Sequence, residues 1–153
     1  MKPDFVNKKY TSEFIRDCAN NNKLGIYDWD NISQYQVLSE EFIREFKEYV
    51  DWHSISCNQI LSEEFIQEFK DKVNWEYISQ YQILSVNSIK AFNDQVNWCV
   101  ISLYQKLSEE FIREFKDQIE WDIISIYQKL SGGFIQEFKD KFDLDKICEY
   151  QKL

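Results

Sequence analysis

The sequence is poor in the residues that build catalytic loops and metal sites. Its 153 residues include three glycines, one proline, one methionine and one histidine. With only Gly25, Gly132 and Gly133, no glycine-rich phosphate loop and no dinucleotide fingerprint can be drawn. The lone histidine, His53, forms an i,i+4 pair with Cys57, but two ligands are too few for a closed zinc site. A Cys–His nucleophile pair would need an orienting group and an oxyanion hole, and nothing marks either. No cofactor and no enzymatic activity are expected. Cys18, Cys57, Cys99 and Cys148 contain no C-x-x-C pair, which fits a reduced, intracellular and cytoplasmic setting. No apolar run approaches the roughly 18 residues needed to span a bilayer. The opening MKPDFVNKKY lacks the apolar stretch of a signal peptide. Positive charge is also short: 18 Lys and Arg stand against 27 Asp and Glu, a formal charge of −9. That opposes direct nucleic-acid binding, which relies on cations at the phosphates, and docking on an anionic membrane. The electrostatic complement is a protein with a basic surface.

What the chain has in quantity is repetition. Leu38, Leu61, Leu84, Leu107, Leu130 and Leu153 recur every 23 residues, with Trp29, Trp52, Trp75, Trp98 and Trp121 in phase. A fixed period of this length means an array of modules, not a globule around one core. Each unit reads as two short helices. The first starts at Ser39, Ser62, Ser85, Ser108 or Ser131, all good N-caps. Glu follows in most units, where the positive helix end favours it, and Phe65, Ile66 and Phe69 make one apolar stripe. The second helix begins at an Asp, Asn or Glu before the Trp, such as Asp51 or Asn74. One unit alone cannot offset the entropy of ordering its residues, so neighbours must bury each other's faces. The fold class expected is all-α, a short α-solenoid of two-helix repeats. The rival is a leucine-rich-repeat-like α/β horseshoe, because WEYISQYQIL is rich in strand-forming residues.

The organisation expected is one repeat domain over 1–153: a leader and degenerate capping repeat at 1–37, four regular repeats at 38–129, and a C-terminal capping repeat at 130–153. Residues 1 to 10 read as a loose leader. The nine-residue connection ANNNKLGIY, five residues longer than its counterparts, reads as a turn before a second helix starting at Asp28. In the last unit Leu144 replaces the Trp and Gly132–Gly133 replace Glu-Glu, as a cap would.

Repeats allow positions to be compared within one chain. The Leu, Phe, Ile and Trp set, the Ser ladder (Ser33, Ser56, Ser79, Ser102, Ser125), the Tyr ladder (Tyr35, Tyr81, Tyr104, Tyr127, Tyr150) and the Gln ladder (Gln36, Gln59, Gln82, Gln105, Gln128, Gln151) read as stacking machinery. Cys18 and Cys148, which replace a core Phe and a ladder Ser, read as small buried fillers. Three positions after each Trp vary freely: His53, Ser54, Cys57; Glu76, Tyr77, Gln80; Cys99, Val100, Leu103; Asp122, Ile123, Ile126. They share one helical face and are the expected partner-binding residues. Val100, Leu103, Ile123 and Ile126 form an apolar patch in adjacent units, fit for a partner or for self-association.

The motif LSEEFIREFKD followed by WxxISxYQ resembles tandem-repeat proteins encoded in large DNA viruses and some phages. The likeness covers about residues 38 to 153 and, more weakly, 10 to 37. It implies a viral protein that binds a target in its host. The function expected is a non-enzymatic scaffold for protein–protein interaction. The alternatives are an acidic, nucleic-acid-mimicking inhibitor of a host nucleic-acid-handling defence enzyme, and a self-associating structural array.

Overall fold

The computed structural model describes residues 3–151, and every regular element among them is helical. The chain divides into two compact units, one ending at Gln82 and the other beginning at Ile83. The first contains α1 (Ser12–Asn20), α2 (Ile26–Tyr35), α3 (Glu40–Glu45), α4 (Trp52–Asn58), α5 (Glu63–Glu68) and α6 (Trp75–Tyr81). The second contains α7 (Val86–Ala91), α8 (Trp98–Tyr104), α9 (Glu109–Glu114), α10 (Trp121–Tyr127), α11 (Gly132–Glu137) and α12 (Leu144–Tyr150). Each unit is a short all-α solenoid. In the first, α2 packs on α4 and α4 on α6; in the second, α8 packs on α10 and α10 on α12.

The repeat follows from its caps. Ser39 Oγ accepts from Phe42 N–H, and Ser62, Ser85, Ser108 and Ser131 do the same in their own repeats. After six residues the helix tightens: Tyr49 and Val50 N–H both donate to the Phe46 carbonyl, closing a turn. Asp51 then opens the second helix by accepting from Ser54 N–H at 2.9 Å. Burial raises the Asp51 pKa, but Ser54's hydroxyl and backbone N–H outweigh it, and the carboxyl ends below its ordinary value. Phe42, Ile43 and Phe46 face inward from the first helix and turn, Ile55 and Ser56 from the second. Trp52 spans the two: its indole N–H donates to the Lys47 carbonyl at 3.0 Å, and its ring lies 4.9 Å from Phe69 of the next repeat.

Polar side chains join one repeat to the next. Gln59 Nε2 donates to the Ser33 and Gln36 carbonyls at 3.0 and 2.8 Å, and its Oε1 accepts from Leu38 N–H at 3.0 Å. A primary amide offers two donors and an acceptor. It thus satisfies three backbone groups left open where α2 ends. Gln82, Gln128 and Gln151 repeat the pattern. Ser33 Oγ donates to the Trp29 carbonyl and accepts from Asp51 N–H. Glu40 accepts from Ser62 N–H at 2.6 Å, and Arg44 reaches Glu68 while lying over the Phe65 ring.

These clamps decide against the horseshoe. The segment after each second helix is extended, with Gln59 at φ −99° and ψ 148°. Its backbone is paired by glutamine side chains, and among the described residues no strand forms.

Three local expectations are corrected. Residues 3–10 are not loose. Phe5 is buried, and Gln36 Nε2 donates to the Phe5 and Lys8 carbonyls while Tyr10 N–H donates to Gln36 Oε1. Lys9 Nζ also donates to the Tyr35 carbonyl. This short segment fills the place of a preceding repeat's end; Met1 and Lys2, which belong to the expected leader, lie outside the described residues. The second helix of the first repeat starts at Ile26 rather than at Asp28, because the insertion supplies Gly25 as N-cap and the Asp28 carboxylate reaches back to its N–H at 2.8 Å. Cys18 is buried, but Cys148 is exposed. The Ser that stands at this position in the other repeats accepts from the backbone N–H 18 residues on, as Ser33 does from Asp51.

Candidate interaction surface

The outer edge of the second helices carries the variable residues. The first of the three positions is open: His53, Glu76, Cys99 and Asp122 are exposed. The second and third lie at the seam between successive second helices, so Tyr77, Val100, Ile123, Cys57, Gln80, Leu103 and Ile126 are half-buried. Ser54, the second of the three in its repeat, is buried, its small side chain against the Asp51 cap. Neighbouring residues at this edge touch. His53 meets Tyr77 edge-on at 4.5 Å, and Tyr77 stacks on Tyr81 at 5.9 Å. Asp122 takes Lys146 at 2.8 Å and raises that ammonium's pKa through the hydrogen bond. The apolar group Val100, Leu103, Ile123 and Ile126 is thus half packed and half available.

The Tyr ladder corrects the expectation that constant means stacked. The ladder serines are fully buried and most ladder glutamines nearly so. The tyrosines point outward, from 37% exposed at Tyr35 to 60% at Tyr127. Their position at the last turn of each second helix turns them away from the next repeat, whose Gln occupies the inner side. The residue after each Gln is more exposed still, with Val37 at 82% and Ile60 at 96%. Sequence comparison held the signal for this position: Val37, Ile60 and Ile83 are aliphatic, while Lys106 and Lys129 are cationic. An alternation of inward Gln and outward neighbour in an extended segment is what reveals it.

Each compact unit carries a concavity. In the first unit the longer connection leaves a cleft of about 650 Å³ over Trp29, Phe46 and Tyr49, with Asn20, Asn22 and Glu48 at its edge. In the second unit a groove of about 390 Å³ runs between Tyr104 and Tyr127. Among the described residues no cluster of three or more His, Cys, Asp or Glu is arranged to hold a metal ion, and no helix is long and apolar enough to cross a membrane.

The acidic residues of the first helices are largely engaged. Arg16 pairs with Glu45, Arg44 with Glu68, Lys90 with Glu114 and Arg113 with Glu137, each linking successive repeats. The Glu137 hydrogen bond raises the Arg113 pKa further. At helix starts, Glu41 and Glu110 are held below the usual carboxylate range by their own backbone N–H groups and by the Ser39 and Ser108 hydroxyls.

No family model matches the chain, and no curated protein or solved structure is similar to it at a significant level.

Proposed function

We propose that this helical repeat scaffold is a non-enzymatic binding protein that holds a protein partner along the outer edge of its second helices. The observation that carries the reading is the exposed Tyr ladder. The ladder Ser and Gln positions are taken up by packing and by hydrogen bonds between repeats, whereas Tyr35, Tyr81, Tyr104, Tyr127 and Tyr150 are not buried. Tyrosine gives large contact area at small entropic cost and is a frequent interface anchor. The variable residues beside it supply discrimination: polar at His53 and Glu76, apolar at Val100, Leu103, Ile123 and Ile126. The alternative, an acidic mimic of nucleic acid directed at a defence enzyme, draws on exposed carboxylates free of ion pairs, among them Glu41, Glu64 and Asp117.

Affinity capture from host lysate at low and moderate salt, followed by mass spectrometry, tests the reading. Capture should survive moderate salt and be lost with Tyr81→Ala and Tyr104→Ala together, an interface anchor contributing about 2 kcal/mol or more. Leu103→Asp with Ile126→Asp should also abolish it while leaving the circular dichroism unchanged. Capture that collapses with salt and competes with DNA or RNA would favour the mimic. Unchanged capture by both variants would refute the surface.

A further inference from the structure

Three features of the groove in the second unit point to one kind of occupant. First, its floor is open. The register residues Leu38, Leu61 and Leu84 are buried, but Leu107 is half-buried, and so are Leu103 and the clamp Gln105. The Gln105 hydrogen bond from Leu84 N–H is stretched to 3.4 Å, against 3.0 Å for the equivalent bond from Leu38 to Gln59. Second, Tyr104 and Tyr127 stand on its two sides, both more than half exposed. Third, Lys106 and Lys129 take the outward position that Val37 and Ile60 hold in the first unit. Both are exposed, and among the described residues neither makes an ion pair, although the chain carries nine more acidic than basic charges.

We propose that this groove binds an extended acidic peptide segment of a partner protein, an apolar side chain seated on Leu103 and Leu107 and a flanking carboxylate at each lysine. The assignment rests on the protein-binding reading above and names the chemistry of one part of that surface. Two unpaired ammonium groups set beside apolar floor and aromatic walls match a segment that alternates Asp or Glu with Leu or aromatic residues. The acidic charge elsewhere on the chain does not cancel this, because at physiological salt a charge is screened beyond about 8 Å. An extended segment lies well in such a groove because alternate side chains point the same way.

The test uses the full chain and two fluorescein-labelled twelve-residue peptides. One alternates glutamate with leucine and tyrosine; the other carries lysine at every glutamate. Anisotropy titrations should show binding of the acidic peptide, weakened by added salt, and none of the lysine peptide. Lys106→Glu with Lys129→Glu should lower the affinity about tenfold or more, each surface charge contact contributing modestly and reversal adding repulsion. Both lysines are exposed, so the thermal melt of the double variant should match that of the parent. Lack of acidic-peptide binding at millimolar concentration, equal binding of both peptides, or indifference to the double reversal would each overturn the assignment. Sedimentation showing a dimer that the double reversal dissociates would assign the groove to a second copy instead. The broader reading has its own marker in Tyr81→Ala, which lies outside the groove. Capture that depends on Tyr81 while the acidic peptide fails to bind removes only the groove assignment; failure of both removes the protein-binding reading.

Discussion

Replacing Gln59 by Met keeps the length and apolar stem of the side chain and removes its amide. The amide is buried and serves three backbone groups where the preceding repeat meets its own, the Ser33 and Gln36 carbonyls and the Leu38 N–H. A buried group left without a partner costs about 1–3 kcal/mol. Three such groups, allowing for relaxation and some entry of water, give an expected loss of about 3–5 kcal/mol. That is a large part of the roughly 5–15 kcal/mol that holds a domain together. The matched variant is Gln151→Met. Gln151 makes the same bonds to Ser125 and Gln128 but is half-buried, so water reaches the carbonyls it abandons. Its loss should stay below about 2 kcal/mol. Urea unfolding followed by far-ultraviolet circular dichroism and by tryptophan fluorescence measures both. Repeat arrays can depart from two-state behaviour, so hydrogen exchange at the Leu38 amide supplies a local readout, and its protection should fall in Gln59→Met alone. A Gln59→Met loss under about 1 kcal/mol, or one equal to that of Gln151→Met, would refute the clamp as an energetic element.

Further expectations follow from the same bonds. Ser56→Ala removes a hydroxyl that donates to the Trp52 carbonyl and accepts from Asn74 N–H, and should destabilise by about 1–2 kcal/mol in the same urea assay. Asp51 has a pKa below its unfolded value, so its contribution is present above the ordinary carboxylate range and is lost as pH falls through the lowered folded value. Asp51→Asn, the residue already used at Asn74 and Asn97, should therefore change little at neutral pH and flatten the acid limb of a stability–pH profile; an unchanged acid limb would contradict the assignment. Thiol labelling of the native protein should modify Cys99 and Cys148 quickly, Cys57 more slowly, and Cys18 only on unfolding, as peptide mapping by mass spectrometry would show.

The period and the caps are legible in the sequence. Leu, Trp and Ser fall at fixed intervals, and a hydroxyl at the start of a helix does the same thing in every repeat. The structural role of the Gln ladder was legible too, though not that each Gln holds the end of the repeat before it. What escaped was the direction in which a constant side chain points. Tyr104 and Ser102 recur equally well, yet one lies outside and the other is fully buried, because two residues at the end of a helix are far apart in azimuth. Residues 3–10 read as loose because they carry no full motif, but three backbone groups in the right places are enough for Gln36 to hold them. The groove was hidden for a related reason. Lys106 and Lys129 stand where Val37 and Ile60 stand, so they look like drift in a linker until the extended segment shows that this position faces outward.

The glutamine clamp always reaches backward along the chain, and this gives each unit a polarity that its repetition conceals. A repeat's own end is completed only by a residue made 23 positions later. During synthesis the newest repeat therefore waits, its carbonyls open, until the next one arrives to close it. Cutting a unit from its C-terminal side opens the repeat left behind, while cutting from the N-terminal side merely releases a glutamine into water. The array is thus like a row of tiles in which each course holds down the one laid before it.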